Sequence, residues 1–178
     1  MYGGSMRKTM EGVCLGLLGI LYWVTFAALH GPERLPDRIP THFDISGQPN
    51  AWGPPGFLWF LPVVATGLYL LLTVLGSIRY RRYNLPVRIT EANLPFIQDQ
   101  TILMVAWIKS EVLCLFVYLQ WSILRSARDG AFRLSPLLIP VVLVVIFSTV
   151  GWNLAALLRG ARERAESPDA GSRMENFR

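Results

Sequence analysis

Two groups of residues in this chain have the types and spacing to do chemistry. The first lies in residues 35–53, LPDRIPTHFDISGQPNAWG, where His42 and Asp44 stand two apart and Asn50 and Trp52 follow. Side chains two apart on an extended chain share a face, about 7 Å from each other, so an imidazole and a carboxylate there can converge on one polar ligand. As a metal site the set is incomplete. Zinc takes three or four protein ligands, and His30, Glu33 and Asp37 stand at no spacing that completes a metal box. The bland alternative is that His42 and Asp44 bond backbone groups and hold the loop down.

The second group is Lys109 and Glu111, inside the apolar run ILMVAWIKSEVLCLFVYLQWSIL of residues 102–124. A charge in mid-membrane costs roughly 2.5–3.5 kcal/mol on insertion scales, so it marks either interhelical glue or a proton or cation site. Two residues apart on a helix is about 200° around its axis, so the two need separate partners. Lys109 lies about 10 Å from the near end of its span, and Asn153 about 8 Å from the same side on the last span. A Lys109–Asn153 contact is therefore expected, with snorkelling as the other outlet for Lys109. Glu111, about 14 Å deep, is expected against Thr66, Tyr69 or Thr149. Catalytic signatures are missing from the sequence: no nucleophile elbow, HExxH, phosphate loop or CxxC. The chain reads as a non-enzyme with no cofactor, no catalytic residue and no metal site.

Whatever these residues do, apolar segments must position them. The 178 residues are 52% hydrophobic and only 16% charged, with a mean hydropathy of +0.38, which separates the chain from soluble domains with about 25% charge. A helix needs roughly 20 apolar residues to cross a bilayer core, and four windows qualify: about 12–29, 57–78, 102–124 and 137–158. The first is too long for the core of a signal peptide and lacks a convincing cleavage site, so it is expected to remain as a span. The expected fold is an all-α integral membrane protein, a four-span domain over 1–160 and a polar cytoplasmic tail over 161–178. A short extracytoplasmic loop containing a β-strand follows the first span.

Orientation follows from the arginines. Eleven Lys or Arg fall on the side of the termini and the RYRRYN loop, against five on the other. The positive-inside rule then puts both termini in the cytoplasm and the His42 loop outside. The localisation this implies is a bacterial cytoplasmic (inner) membrane, multi-pass, with the lipid bilayer as partner. The net charge of +5 is explained by this bias and implies no nucleic acid. Cys14 and Cys114 sit in apolar runs at different depths and are expected to pack rather than pair.

In the loop itself, Pro36 and Pro40 stiffen an extended descent. Thr41, Phe43 and Ile45 then alternate with His42, Asp44 and Ser46, which reads as a strand with one apolar face. Residues 47–50 read as a turn, and Trp52 and Trp59 as interfacial anchors. Between the second and third spans, Thr90 and Glu91 would start a short amphipathic helix on the membrane surface.

The set Leu35, Pro36, Ile39, Pro40, His42, Phe43, Asp44, Gly47, Asn50, Trp52 and Gly53 resembles the signature of the DUF1648 membrane domain. That domain forms the N-terminal part of immunity proteins similar to SdpI, which protect a cell from the toxic peptide it secretes. A second stretch, NLPVRITEAN followed by WIKSEVLCLFVYLQW, is similar to short members of the same family. Pro54, Pro55 and Gly56 stand where the family often carries a lysine. The resemblance implies recognition of an extracytoplasmic peptide or envelope component through His42, Asp44, Asn50 and Trp52. The alternatives are a transporter-like role for Lys109 and Glu111, or a structural subunit bound to another membrane protein.

Overall fold

The computed structural model describes residues 2–78, 85–130 and 132–166. Its elements, in order, are α1 (Tyr2–His30), β1 (Ile39–Phe43), β2 (Pro49–Gly53), a 3-10 turn (Pro55–Trp59), α2 (Phe60–Ser77), α3 (Leu94–Asp129) and α4 (Leu138–Glu166). All four helices are long and apolar enough to cross a membrane. The protein is a four-helix, multi-pass membrane protein with a small two-stranded sheet after its first helix.

The helices begin and end where the sequence punctuates them. α1 closes on Gly31, whose N–H reaches the Ala27 carbonyl at 2.9 Å, and Pro32 stops it from continuing. Pro95 opens α3, and Gly130, at φ +62°, closes it by donating to the Ser126 carbonyl. α3 is 36 residues long, about 54 Å, and is the axis of the bundle. α1, α2 and α4 all pack on it, α4 with most of its surface outward.

Three differences from the sequence reading matter. The stretch before the third span forms no separate surface helix: Leu94 is already the first turn of α3. Asn93, not Thr90, precedes the first turn of α3, and its fully buried amide caps no helix N–H but accepts the Thr90 N–H and donates to the carbonyls of Arg88 and Ala161. α1 starts ten residues before the apolar window, and α4 runs on into the polar tail as far as Glu166. Arg79, Arg81, Arg82, Arg173 and Arg178, used for orientation, lie outside the described residues.

Three apolar clusters divide the core along the bundle. Ile39, wholly buried, packs with Ala28, Leu58, Ile123, Leu124 and Ala127 under the sheet. Cys14, Leu18, Leu21, Ala65 and Leu113 fill the middle. Ile97, Leu157 and Ala161 close the end away from the sheet. Cys14 is buried and Cys114 exposed, and both are free thiols.

Candidate functional site

The hairpin caps one end of the bundle. β1 and β2 pair antiparallel, with Ile39 opposite Gly53, Pro40 opposite Trp52, His42 opposite Ala51 and Phe43 opposite Pro49. Thr41 on β1 and Asn50 on β2 are each left out of the pairing, two irregularities that shift the register at His42 and restore it at Phe43, breaking the strict alternation expected of this strand. Ile45 lies beyond the end of β1, in the turn, 90% exposed rather than on an apolar face.

Asp44 makes the turn. Its Oδ1 accepts from the Ser46 hydroxyl (2.7 Å), the Ser46 N–H (2.9 Å) and the Gln48 N–H (3.0 Å). The Gly47 N–H closes onto the Asp44 carbonyl, with Gly47 at φ +77°. This is a β-turn ended by a left-handed glycine. Those donors, the Ser46 hydroxyl foremost, hold the Asp44 carboxyl below its ordinary pKa of 3.8. The turn is thus Asp44–Gly47, not residues 47–50, and Asp44 leaves the strand face on which it was expected beside His42.

His42 turns instead to Asn50, which stands beside its cross-strand partner Ala51. Its Nδ1 lies 2.6 Å from Asn50 Oδ1, an acceptor, so Nδ1 donates to it. His42, Asn50 and Trp52 are exposed, while Ile39 and Pro40 beneath them are buried. Two further bonds fix the hairpin: Arg38 donates to the Trp52 carbonyl, and the Leu134 N–H to the Gly47 carbonyl at 2.8 Å. The expected binding residues are therefore gathered, except that Asp44 serves the turn. His30 is directed back to its own helix, donating to the Phe26 carbonyl and stacking on its ring.

The second centre lies where α1, α2 and α3 meet. Lys109 is 2% exposed and donates to Glu11 Oε1 at 2.5 Å and to Thr73 Oγ1 at 3.1 Å. Its ammonium also stands 4.8 Å from the centre of the Tyr69 ring. Tyr69 donates its hydroxyl to the other oxygen of Glu11. A buried charge is tolerated when it is paired and its donors are met, and here both conditions hold. The expected Lys109–Asn153 contact does not form. Matching depth does not fix direction around a helix, and Asn153 bonds the Thr149 carbonyl of its own helix. Glu11 escaped the sequence reading because it lies one residue outside the first apolar window. The signal was there: a buried lysine needs a counter-charge, and Glu11 is the acidic residue adjoining that window.

Glu111 points the other way around α3, as the 200° separation requires. The Thr149 hydroxyl of α4 donates to its Oε1, while its Oε2 is buried without a partner among the described residues. A third polar node also escaped the sequence reading. Gln120 of α3 is fully buried and donates to Thr25 Oγ1 of α1 (2.7 Å) and to the Leu58 carbonyl (3.2 Å). It ties three elements together directly beneath the hairpin. Neutral polar residues in an apolar window carry no charge penalty to draw attention to them.

Among the described residues, no group of three or more His, Cys, Asp or Glu is placed to hold a metal ion. No curated protein and no solved structure matches the chain. Residues 17–66, from the middle of α1 through the hairpin into α2, match the model of DUF1648, a domain of unknown function.

Proposed function

We propose that the hairpin is a recognition surface for an extracytoplasmic peptide or envelope component, in a bacterial cytoplasmic membrane protein with both termini inside. The observation that carries this reading is the division of the hairpin. Its underside is locked by Ile39 in the core and by the Gly47–Leu134 bond, while His42, Asn50, Trp52 and Ile45 face outward. A rigid support with a mixed polar and aromatic top is what peptide binding requires. The family match supports the reading because it is centred on this hairpin. An SdpI-like immunity role is the specific form: the hairpin would take up a membrane-active toxic peptide before it inserts. The excess of basic residues at the opposite end supports the orientation.

The test has two arms. With Cys14 and Cys114 changed to Ser and a single cysteine at Ser46, intact cells labelled with a membrane-impermeant maleimide should react. A photo-crosslinking residue in place of Trp52 should then capture a peptide in living cells, and His42→Ala should reduce the capture about ten-fold at unchanged abundance. Labelling only after lysis, or capture indifferent to His42→Ala, sinks the reading.

A second reading rests on its own observation. The buried Lys109 pairs with the part-exposed Glu11 among three helices, an arrangement that suits a coupling or transport centre. It predicts that Glu111→Gln or Glu11→Gln abolishes activity while His42→Ala does not.

A further inference from the structure

At the end of the bundle away from the hairpin, one guanidinium is held in a fixed position without a counter-charge. Gly160 of α4 has no side chain, and the ring of Phe96 fills that space: a Cβ on Gly160 would lie 2.5 Å from Phe96 Cζ. The Arg164 guanidinium stands over the same ring, 3.8 Å from its centre, and donates one N–H to the Gly160 carbonyl at 2.8 Å. Ring and carbonyl together set its position. A guanidinium carries five N–H donors. The others on Arg164, an exposed residue, have no acceptor among the described residues.

A second arginine is brought to the same junction. The buried Asn93 amide donates to the Arg88 carbonyl at 2.9 Å and to the Ala161 carbonyl at 3.1 Å. The segment bearing Arg88 is thereby pinned to α4 about one turn before Arg164. Arg88 is exposed as well. Glu91 and Glu163, the acidic residues nearest in sequence, pair with neither: among the described residues the ion pairs are Lys109–Glu11, Arg125–Asp129 and Arg128–Glu33. Two like charges gathered without a counter-charge are unfavourable, and an anion between them reverses the sign.

The level is that of lipid headgroups. The fourth apolar window ends at Leu158, so Gly160 stands about 3 Å beyond it. The headgroup layer is roughly 5–8 Å deep on each side. Arg164 itself lies a further turn out. Its side chain runs back along the helix to Gly160, as helical side chains lean toward the N-terminus, and this keeps the guanidinium in that layer.

We infer that Arg164 and Arg88 form a site for the phosphate of an anionic phospholipid headgroup. Phosphate oxygens match the planar fork of a guanidinium, and the bonds between them are charge-assisted. A zwitterionic lipid presents the same phosphate, but its ammonium opposes the two arginines. The site lies at the opposite end of the bundle from the hairpin and does not rest on the reading proposed for it.

The test uses the full chain in detergent with equal amounts of phosphatidylglycerol and phosphatidylcholine of matched acyl chains, read by native mass spectrometry. The expected result is a retained phosphatidylglycerol, favoured about ten-fold over phosphatidylcholine, the discrimination of one charge-assisted bond. Arg164→Gln should bring the ratio close to parity. Arg162→Gln removes the same charge from the same stretch of α4, about 200° around the helix, and should leave the ratio unchanged. Phe96→Leu keeps every charge but removes the ring under the guanidinium, and should lower the ratio several-fold. If Arg164→Gln alters the circular dichroism, Arg88→Gln decides in its place, because that side chain bonds nothing among the described residues; it too should bring the ratio close to parity. Free glycerol 1-phosphate, added in equal concentration, should not displace the lipid. Displacement would assign the site to a soluble phosphate and overturn the inference. So would equal losses in Arg162→Gln and Arg164→Gln, which general attraction to a basic surface gives. No preference in the starting protein, or one that survives Arg164→Gln, Arg88→Gln or Phe96→Leu in a folded protein, overturns it as well.

Discussion

Lys109 and Glu11, ninety-eight residues apart in sequence, are joined at 2.5 Å inside the bundle, yet their burial is unequal: 2% of the lysine side chain is exposed and 30% of the glutamate. The inequality predicts an asymmetric response to mutation. Glu11→Gln strands a charge with little access to solvent and should cost about 3–5 kcal/mol. Lys109→Met leaves a carboxylate that keeps the Tyr69 hydroxyl and some exposure, and should cost about 1–3 kcal/mol. The double variant should recover most of the larger loss. Denaturant unfolding of the four proteins in one detergent completes the cycle, and strict additivity would show that the pair is not coupled.

Glu111 tests the opposite case. One of its oxygens has no partner among the described residues, so Glu111→Leu removes a poorly satisfied group and should be neutral or stabilising by up to about 2 kcal/mol. Thr149→Val removes its donor and keeps the carboxyl, and should destabilise by about 1–3 kcal/mol. Thermal unfolding ranks the two variants, and the reverse order would mean that Glu111 holds α4 to α3.

Gly47 cannot carry a side chain. A Cβ there would lie 1.8 Å from the Leu134 carbonyl oxygen, and its φ of +77° disfavours other residues. Gly47→Ala should cost about 1–3 kcal/mol and release the hairpin from the loop before α4. Gly56→Ala, with open space around it, should stay within about 0.5 kcal/mol. Proteolysis of the hairpin in the folded protein distinguishes the two.

The Asp44 turn should respond to acid. A carboxyl whose folded pKa is depressed contributes stability above its unfolded pKa, here near 3.8, and that contribution disappears as pH falls through the lower folded value. Hydrogen exchange at the Ser46 and Gln48 amides, corrected for intrinsic rates, should therefore show constant protection above about pH 5 and declining protection below about pH 4. Asp44→Asn should remove the decline. A wild-type profile that falls at neutral pH would place the sensitivity in another group.

The parts of this molecule that follow from one-dimensional pattern were legible in its sequence. Runs of apolar residues mark all four helices, because desolvation depends on composition along the chain. The need of Lys109 and Glu111 for different partners followed from helical periodicity, and Thr149 was among those named for Glu111. Partners set by three-dimensional direction were not legible. Asn153 matched Lys109 in depth but not in azimuth, and Glu11 was hidden by a window edge. In the hairpin, two irregularities, at Thr41 on one strand and at Asn50 on the other, offset His42 alone and cancel by Phe43. The turn took Asp44 away from His42, and the unpaired Asn50 took its place.

The length of α3 has a mechanical meaning. One continuous rod of 36 residues reaches from the apolar cluster under the hairpin, through Ile123 and Ala127, to the buried Asn93 and Ile97 at the other end. Its length of about 54 Å exceeds the hydrocarbon thickness of about 30 Å, so a helix of this length crossing upright extends beyond the membrane core. A tilt of about 5° about one end would swing the other by about 5 Å, roughly one helical pitch. A load applied to the hairpin is thereby carried to the opposite face as displacement of a lever.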